Sequence, residues 1–470
     1  MVVEHGAGMA DTKDLVVIGG GSGGFAAAVR AAQLGGDVAV VEEKHFGGNC
    51  MHGACIPLTF LMHVSGLMDA LRGASSFGLE VGEGALDMGE LQDRKDMIID
   101  ALEMGTEEQL RDYGVEMIEG RGGLVARNTV AAADRQIRAR SIVIATGSVA
   151  GEMPVEGGDL PGVIGTSEAL NLREIPKRTG IVGNRPWEIE LAQYFNVMGS
   201  QVVLITDSHR LLPEADREIS QRLAKHLHDS GIDVRRGTSV EAIREKDGRE
   251  LEVVLAQERE SPVVNCVVAS PRFPNTTGLG LRELGIATKR GAILVDERME
   301  TSVPGIYAIG DVTPGPMWSH KASAEGIAAA ENAVGLSGSP SRVDYGALPR
   351  CLHTHPEVAW VGLTADEARD RGIDVRVGKV PVAINPQAMI LGETSGAIKV
   401  VADGAYGKIL GVHTMGPGAI DLINAASVAV LSEATVHELM RLVPAHPSVG
   451  EALVDAAMDV EGRSLHLPKW

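Results

Sequence analysis

Two cysteines separated by four residues form the most reactive pattern in the chain. Cys50 and Cys55 follow a glycine pair and precede an apolar run over residues 56–71, which predicts a buried helix. They are half of the four cysteines in the protein. A helix N-terminus near such a pair lowers a thiol pKa and favours the thiolate, which is the reactive form. We therefore predict a redox-active cysteine pair.

Zinc binding and a structural disulfide are two other chemistries open to this pair. A zinc site would need two further ligands, but Cys266 and Cys351 are isolated and no second close pair exists. A structural disulfide fits poorly because a close pair in a cytoplasmic protein is more often catalytic or metal-binding than a staple. We expect no metal site.

Composition restricts the class of protein around the pair. A length of 470 residues predicts two to four domains, and 58 glycines with 3% aromatic residues fit a soluble α/β protein rich in tight turns. The net charge of −20 disfavours nucleic acids and anionic membranes as partners. We find no apolar run long enough to span a bilayer and no secretory signal in the polar residues 1–13. We expect a cytoplasmic location.

A glycine turn near the start of the chain predicts a dinucleotide site. Residues 14–18 read as a strand, residues 25–34 as an alanine-rich helix and residues 38–41 as a second strand that ends in an acid. Gly19 makes the tight turn, Gly21 allows a pyrophosphate to approach, and Gly24 allows close packing of helix and strand. The helix N-terminus offers amide donors to phosphates, and Glu42 can bind ribose hydroxyls.

Further motifs give the chain a resemblance that covers nearly its whole length. Residues 141–147 end in Ala-Thr-Gly, residues 301–311 read TSVPGIYAIGD, and residues 317–322 read MWSHKA. Together with the glycine turn and the cysteine pair, these resemble the FAD-dependent pyridine nucleotide-disulfide oxidoreductases. The branch that contains dihydrolipoamide dehydrogenase is the most similar.

The resemblance implies FAD as the first nucleotide. Asp311 would bind the ribityl chain, and a helix that starts near Ser319 would direct its N-terminus at the flavin, where its dipole stabilises negative charge. Cys55 would lie against the flavin and Cys50 would exchange with substrate. The implied FAD-binding residues are Gly19, Gly21, Gly24, Glu42, Gly48, Gly122, Thr146, Gly147, Asp311, Met317, His320 and Ala322.

A histidine near the C-terminus has a carboxylate within reach. Glu451 follows His446 by five residues, and such a carboxylate can orient an imidazole and raise its basicity. The resemblance implies that His446 is the acid–base partner of the substrate thiol and that Glu451 holds its tautomer. It also implies that this pair acts on the disulfide of the other subunit, so a homodimer is required.

The middle of the chain repeats the glycine turn in altered form. Residues 180–190 read GIVGNRPWEIE, so Arg185 and Glu188 stand at the second and third glycine positions. The following strand, residues 201–205, ends in Thr206 rather than an acid. We interpret these changes as loss of normal NAD(P) binding. The alternative is that Arg185 has become a phosphate contact in a rearranged loop.

A second departure agrees with this interpretation. The dihydrolipoamide dehydrogenases that this chain resembles carry a lysine two residues after the proline of the redox motif, and this lysine is paired with a glutamate. Thr59 holds the lysine position here, whereas the matching Glu190 is present. Both departures indicate impaired hydride exchange with nicotinamide.

We predict an α/β fold with two Rossmann-like dinucleotide-binding domains and a C-terminal α/β dimerisation domain. The predicted function is oxidation of a dihydrolipoyl-type dithiol, possibly on a carrier protein, with an acceptor other than NAD(P). A metal-ion or quinone reductase and a non-catalytic redox-sensing flavoprotein are the alternatives. The predicted boundaries are residues 1–150 and 281–345 for the FAD-binding parts, 151–280 for the NAD-like domain and 346–470 for the interface domain.

Overall fold

The computed structural model of the protein describes residues 12–82, 84–248, 250–256, 258, 260–335 and 340–468. The expectation about a signal in the first eleven residues therefore lies outside the described residues. The strands, in chain order, are β1 (Lys13–Ile18), β2 (Val38–Glu42), β3 (Glu116–Glu119), β4 (Gly122–Ala126), β5 (Thr129–Ala132), β6 (Arg135–Ile144), β7 (Ser148–Ala150), β8 (Val163–Ile164), β9 (Arg178–Val182), β10 (Gln201–Thr206), β11 (Asp233–Arg236), β12 (Val240–Lys246), β13 (Glu250–Leu255), β14 (Val263–Val264), β15 (Cys266–Ala269), β16 (Arg272–Pro274), β17 (Thr288–Lys289), β18 (Ala292–Ile293), β19 (Ile306–Ala308), β20 (Arg350–Leu352), β21 (Val358–Gly362), β22 (Val375–Pro381), β23 (Ala397–Asp403) and β24 (Ile409–Met415).

Helices alternate with these strands through most of the chain. They are α1 (Ser22–Gln33), α2 (Gly48–His52), α3 (Cys55–Gly73), α4 (Met88–Asp112), α5 (Thr166–Ala169), α6 (Pro186–Val197), α7 (Arg217–Asp229), α8 (Ser319–Val334), α9 (Ala365–Asp370), α10 (Pro386–Leu391), α11 (Ala419–Leu431), α12 (Val436–Arg441) and α13 (Gly450–Val460).

The described residues form two compact units. The first unit comprises the described residues within the ranges 12–57, 87–151 and 271–343, and the second comprises those within 58–86, 152–270 and 344–468. The domain boundaries predicted from the sequence remain predictions.

The first unit is built on a seven-stranded sheet in the order β3-β2-β1-β6-β5-β4, with β19 also paired to β6. Strands β3, β2, β1, β6 and β19 are parallel, whereas β5 and β4 are antiparallel. Strand β1 lies inside the sheet, and its residues Leu15, Val16, Val17 and Ile18 are buried on both faces. A continuous apolar strand is typical of a parallel sheet covered on both faces.

Helices α1 and α8 pack closely on this sheet. Gly23 and Gly326 allow α1 and α8 to approach each other closely, because a Cβ at Gly326 would lie 2.3 Å from the carbonyl oxygen of Gly23. This contact joins the glycine turn at the start of the chain to the helix that begins at Ser319.

The second unit holds two further layers. A parallel sheet in the order β11-β10-β9-β15-β8 stands beside the antiparallel β12-β13-β14, and an antiparallel sheet in the order β20-β21-β24-β23-β22 carries α11 and α13. Close packing of α13 depends on Gly378, where a Cβ would lie 2.0 Å from the carbonyl oxygen of Ala456. The two Rossmann-like sheets and the C-terminal α/β layer confirm the predicted fold class.

One sequence-based element is wrong at its start. The mostly polar stretch from Leu79 to Tyr113 carries Met and Leu at helical spacing and is predicted as helical from its sequence, but α4 begins only at Met88. Asp87 caps it, since its carboxylate accepts hydrogen bonds from the backbone N–H groups of Gly89 and Glu90. Glycines at 82 and 84 disfavour an earlier helix.

The expectation that no apolar run is long enough to span a bilayer needs correction. Gly48–Phe77 is long and apolar enough, by length and composition, to cross a membrane. A core helix passes the same test, and Leu58, Leu61 and Met62 are buried within the protein.

Candidate active site

The cysteine pair lies where two helices meet. Cys50 is on α2, and Cys55 is the first residue of α3. The structure holds both as thiols, with Cys50 half-buried and Cys55 exposed. A hydrogen bond from Cys55 lowers the pKa of Cys50 to about 6 against the opposing effect of burial, with help from Ser319 and Ser22. Its hydrogen-bond partners therefore favour the thiolate form of Cys50.

The glycine turn after β1 has the geometry of a phosphate cradle. Gly19 has a φ of +107°, and a Cβ there would lie 2.4 Å from the carbonyl oxygen of Ala145. A Cβ at Gly24 would lie 1.8 Å from the carbonyl oxygen of Gly19. At Gly21 the nearest atom to a Cβ is 3.8 Å away, at Gly48. The turn is therefore tightly packed at its ends and open in the middle, as an approaching pyrophosphate requires.

The start of α1 offers backbone donors to an anion. Gly21 is its N-cap, and within the described residues no side chain caps that end. Glu42 lies beside the turn, where its carboxylate accepts hydrogen bonds from the backbone N–H groups of Gly20 at 2.6 Å and Lys44 at 2.8 Å. These groups fit a bound dinucleotide, with phosphates at the helix end and ribose at the carboxylate.

The second predicted FAD segment lies in the same unit. The hydroxyl of Ser148 donates to the Asp311 carboxylate at 2.6 Å, and Arg272 donates to that hydroxyl at 3.0 Å. Helix α8 begins at Ser319, as predicted, and its N-cap Trp318 provides no side-chain cap in the described structure. Asp311 and the α8 N-terminus are thus held ready for a ligand with hydroxyl and electron-rich groups.

A buried ion pair supports the loop that carries Asp311. The Nζ of Lys321 lies 3.1 Å from the Glu325 carboxylate and donates to the carbonyl oxygen of Gly310 at 3.2 Å. The Glu325 carboxylate also accepts from the backbone N–H of Gly310 at 2.7 Å. This pair lies behind the loop and orients its backbone.

The remaining predicted FAD residues also lie in the first unit. Thr146 donates its hydroxyl to the carbonyl oxygen of Asn275 at 2.7 Å, and Gly147 has a φ of +68°. Gly48 approaches Gly21 so closely that a Cβ would lie 2.8 Å from its Cα. Gly122 lies in β4, where a Cβ would meet Ile18 at 2.6 Å. Met317 is half-buried, His320 is exposed and Ala322 is buried.

The C-terminal histidine and glutamate form the predicted pair. The Nδ1 of His446 lies 2.9 Å from a Glu451 carboxylate oxygen, and the other oxygen accepts from the backbone N–H of Ser448 at 2.9 Å. The hydrogen bond with His446 lowers the pKa of Glu451. The His446 side chain is 73% exposed, so its Nε2 is accessible to an incoming group.

Comparison with known proteins identifies the family. The family model described as pyridine nucleotide-disulphide oxidoreductase matches residues 13–326, and the model of its dimerisation domain matches residues 348–457. The chain belongs to this family. Its members are flavin-dependent disulfide oxidoreductases, and the protein is an enzyme of that type. FAD dependence of the family supports FAD as the cofactor, and the dimerisation domain supports a homodimer.

Individual relatives are similar over nearly their whole length. Dihydrolipoyl dehydrogenase of Thermus scotoductus is 38% identical over 97% of this chain and 99% of its own. The mitochondrial enzyme of Pisum sativum is 34% identical over 97% of this chain and 93% of its own. Among solved structures, the HOCl-induced flavoprotein disulfide reductase RclA from Escherichia coli matches with a TM-score of 0.84, at 28% identity over 94% of this chain and 98% of its own.

The second glycine turn of this family member is filled by a side chain. Gly183 has a φ of +145°, and a Cβ there would lie 2.1 Å from the Glu188 carboxyl carbon. The same carboxylate accepts from the backbone N–H of Arg185 at 2.7 Å and caps α6. Burial raises the pKa of Glu188 to about 7, although the backbone hydrogen bond and the charge of Arg185 act to lower it. The guanidinium of Arg185 stacks over the ring of Trp187 at 5.1 Å.

The loop after β10 is closed in a similar way. Asn184 donates to the carbonyl oxygen of Arg210 at 2.9 Å and accepts from the backbone N–H of Leu212 at 2.9 Å. Thr206, at the position of the missing acid, is buried and accepts from the backbone N–H of Ser208 at 3.1 Å. Side chains of the protein itself thus satisfy the polar groups of this turn.

Glu190 is buried without the lysine that the family resemblance implies. Its carboxyl group accepts from the backbone N–H of His353 at 2.6 Å. Burial raises its pKa to about 8, and within the described residues no lysine or arginine offsets this effect. Burial without a cationic partner therefore favours the protonated form of Glu190.

Sequence reasoning missed two groups near the cysteines. Ser22 and Ser319, whose hydroxyls lie 2.6 Å apart, assist the Cys50 thiolate from opposite ends of the first unit's sequence. His45, His52 and Glu103 also converge in this unit. Nothing in the local sequence around Ser22 or Ser319 predicts the first group. His45 precedes the redox motif and His52 lies within it, so the sequence offered a signal for the second group.

Proposed function

We propose that the protein oxidises a dihydrolipoyl-type dithiol through the Cys50–Cys55 pair and passes the electrons to an acceptor other than NAD(P). The observation that carries this proposal is the position of Glu188. Its buried carboxyl group accepts a hydrogen bond from the backbone N–H of Arg185, the N-cap of α6, at the helix end where a nucleotide pyrophosphate would bind. A bound phosphate would have to displace this carboxyl group and would meet a negative charge whenever Glu188 is ionised.

The neighbouring groups support the same conclusion. Arg185 is engaged with Trp187, which argues against its use as a free phosphate contact. Thr206 offers no carboxylate to a ribose, and the loop beyond it is tied to Asn184. Glu190 without its lysine removes a second feature of nicotinamide-dependent relatives.

The thiol side is complete by contrast. His446 takes the proton of a substrate thiol, and Glu451 orients the imidazole and stabilises its charge. The substrate thiolate attacks Cys50, the Cys50–Cys55 bond breaks, and Cys55 leaves as a thiolate. The second substrate thiol then attacks the mixed disulfide, releases the oxidised product and displaces Cys50.

Hydrogen bonds from Ser319 and Ser22 assist the last of these steps, because they stabilise Cys50 as the leaving thiolate. The cysteine pair has then gained two electrons and the substrate has lost two. The residues of the cradle described above would hold FAD, which supplies a two-electron sink next to the pair when bound. We propose that the homodimer brings His446 of one protomer to the cysteines of the other, as the family resemblance implies.

Reduction in the opposite direction is a second candidate. Its support is the similarity to RclA, which is described as a disulfide reductase. A reductase needs an electron donor, and the closed turn at Glu188 argues against NAD(P)H in that role. The dithiol oxidation is therefore the favoured direction.

An anaerobic titration tests the proposal. The purified flavoprotein is mixed with dihydrolipoamide, or separately with NADH, while the flavin absorbance is followed. We expect rapid bleaching by the dithiol and a rate with NADH at least ~100-fold lower, since the nicotinamide route lacks its binding contacts. Equal rates with both reductants would overturn the proposed loss of NAD(P) use, and no response to the dithiol would overturn the substrate class.

A further inference from the structure

Three metal-ligating side chains meet beside the redox helix. The ligand atoms of His45, His52 and Glu103 lie within 4.8 Å of one another. The Nδ1 of His45 is 3.2 Å from a Glu103 carboxylate oxygen, and the Nε2 of His52 is 3.8 Å from the same atom. The two imidazole rings stack with their centroids 4.8 Å apart.

The three side chains come from different elements of the first unit. His45 lies in the turn between β2 and α2, His52 is the last residue of α2, and Glu103 is on α4. Cys50 is also on α2, two residues before His52, so the two side chains leave the helix about 200° apart. The cluster is thus separate from the thiol pair but shares its helix.

The spacing of the ligand atoms suits a tetrahedral metal ion. Bonds of about 2.0–2.2 Å to imidazole nitrogen and carboxylate oxygen place neighbouring ligands about 3.4 Å apart. The two measured separations from the Glu103 oxygen lie on either side of that value. Small rotations of the side chains would bring all three onto one ion.

Exposure and charge also favour a cation here. The His45 side chain is 61% exposed, whereas His52 and Glu103 are about one-fifth exposed, so an ion can enter and keep a water ligand. One opposing contact exists, because the Nε2 of His52 lies 3.0 Å from the carbonyl oxygen of Phe46. A metal would replace this hydrogen bond with a stronger bond.

We propose that His45, His52 and Glu103 form a binding site for a divalent transition metal of the Zn²⁺ or Cu²⁺ class. Zn²⁺ and Cu²⁺ bind a set of two imidazoles and one carboxylate well, whereas Mg²⁺ and Ca²⁺ prefer sites made of oxygen ligands. The ion would tie α2 to α4 and so restrain the helix that carries Cys50. This inference does not depend on the identity of the dithiol or of the electron acceptor.

Calorimetric titration of the oxidised holoenzyme with ZnCl₂ tests the site. The oxidised form is used because its disulfide withholds the two thiolates from the metal. We expect one tight Zn²⁺ per protomer and at least ~10-fold weaker binding in His45→Gln, His52→Gln and Glu103→Gln. His437→Gln, an exposed histidine of the second unit, is the matched control and should bind as the wild type does.

Electron paramagnetic resonance of bound Cu²⁺ gives a second measurement. The wild type should show coupling to two imidazole nitrogens, and the His45→Gln variant should show coupling to one. His45 is exposed, so this variant should fold and retain its flavin. Zn²⁺ affinity unchanged in all three variants, or no tight Zn²⁺ in the wild type, would overturn the proposal.

Discussion

The reactivity of Cys50 depends on neighbours that are distant in the sequence. Its pKa is lowered to about 6, first by Cys55 and then by the hydroxyls of Ser319 and Ser22, while burial and the Asp311 charge oppose the effect. Cys55 is fixed by the motif, but the serines come from the starts of α8 and α1. The hydroxyl contribution is therefore testable at the residue scale.

We expect Ser319→Ala to raise the pKa of Cys50, because the thiolate loses a hydrogen-bond donor. Loss of one such bond, about 1 kcal/mol, should slow alkylation of Cys50 about threefold at pH 6. The measurement is the rate of iodoacetamide labelling of the reduced protein against pH, with Cys50 quantified by mass spectrometry. Ser323→Ala, on the same helix, is the control, and an unchanged pH profile in Ser319→Ala would contradict the prediction.

Glu190 predicts a pH effect on stability. Its folded-state pKa of about 8 lies above its ordinary value, so the folded protein binds the proton more tightly than the unfolded chain. This contribution is present below about pH 4 and is lost as pH rises through about 8, at a cost of a few kcal/mol.

Glu190→Gln should therefore remove part of the fall in melting temperature between pH 6 and pH 9, because the neutral amide needs no proton. The measurement is thermal unfolding of wild type and variant at several pH values under one scan rate. Glu241→Gln, at an exposed position, is the control. A parallel pH dependence in wild type and Glu190→Gln would show that Glu190 is ionised.

At the scale of elements, both glycine turns join a strand to a helix, but they differ in what occupies the N-terminus of that helix. In the turn before α1, no side chain caps the helix end within the described residues. In the turn before α6, the Glu188 carboxyl group accepts a hydrogen bond from the backbone N–H of Arg185, the N-cap residue. An internal cap stabilises α6 in the way that a bound phosphate would stabilise a nucleotide-binding helix.

Opening this turn should restore some use of nicotinamide. We expect Arg185→Gly with Glu188→Ala to increase the rate of flavin reduction by NADH at least ~10-fold, because the helix amides become available to phosphate. Stopped-flow absorbance measures the rate, and Thr206→Glu should add to the effect through the ribose. Glu168→Ala, which removes the similar cap of α5, is the matched control. No gain in any of these variants would mean that Glu188 does not limit NADH binding.

At the scale of the whole molecule, the proposed catalytic groups belong to different units of the chain. Cys50 and Cys55 are in the first unit, and His446 and Glu451 are in the second. The chain carries the dimerisation domain of its family over residues 348–457. Complementation between two inactive variants tests whether the groups act across the dimer.

Cys50→Ser and His446→Gln should each abolish dithiol oxidation as homodimers while retaining flavin. Co-expressed subunits form about half mixed dimers, each with one intact site if His446 acts on the other protomer, so about one quarter of wild-type activity should return. Dihydrolipoamide-dependent flavin reduction and turnover with an artificial acceptor measure the recovery. Mixed dimers without activity would indicate that cysteines and histidine of one protomer act together.

Much of the fold was predictable because its signals are local. The strands β1 and β2, helix α1 and the Gly19 turn follow from apolar runs and glycine spacing, and the structure places them close to the predicted bounds. The start of α4 was mispredicted because the helical spacing of Met and Leu extends to the N-terminal side of Asp87. The role of Asp87 as the cap depends on its side-chain contacts.

The amino-acid sequence alone specifies which groups are available for chemistry: the cysteine pair, the two glycine turns, the Thr59 substitution and the His446–Glu451 spacing. Tertiary structure decided how they are set. The Ser22–Ser319 contact joins residues 297 positions apart, and the burial of Glu190 depends on β20 and α6 together. Local patterns specify backbone geometry through short-range sterics and hydrogen bonds, whereas a pKa is set by burial and by every polar neighbour, which only the folded chain brings together.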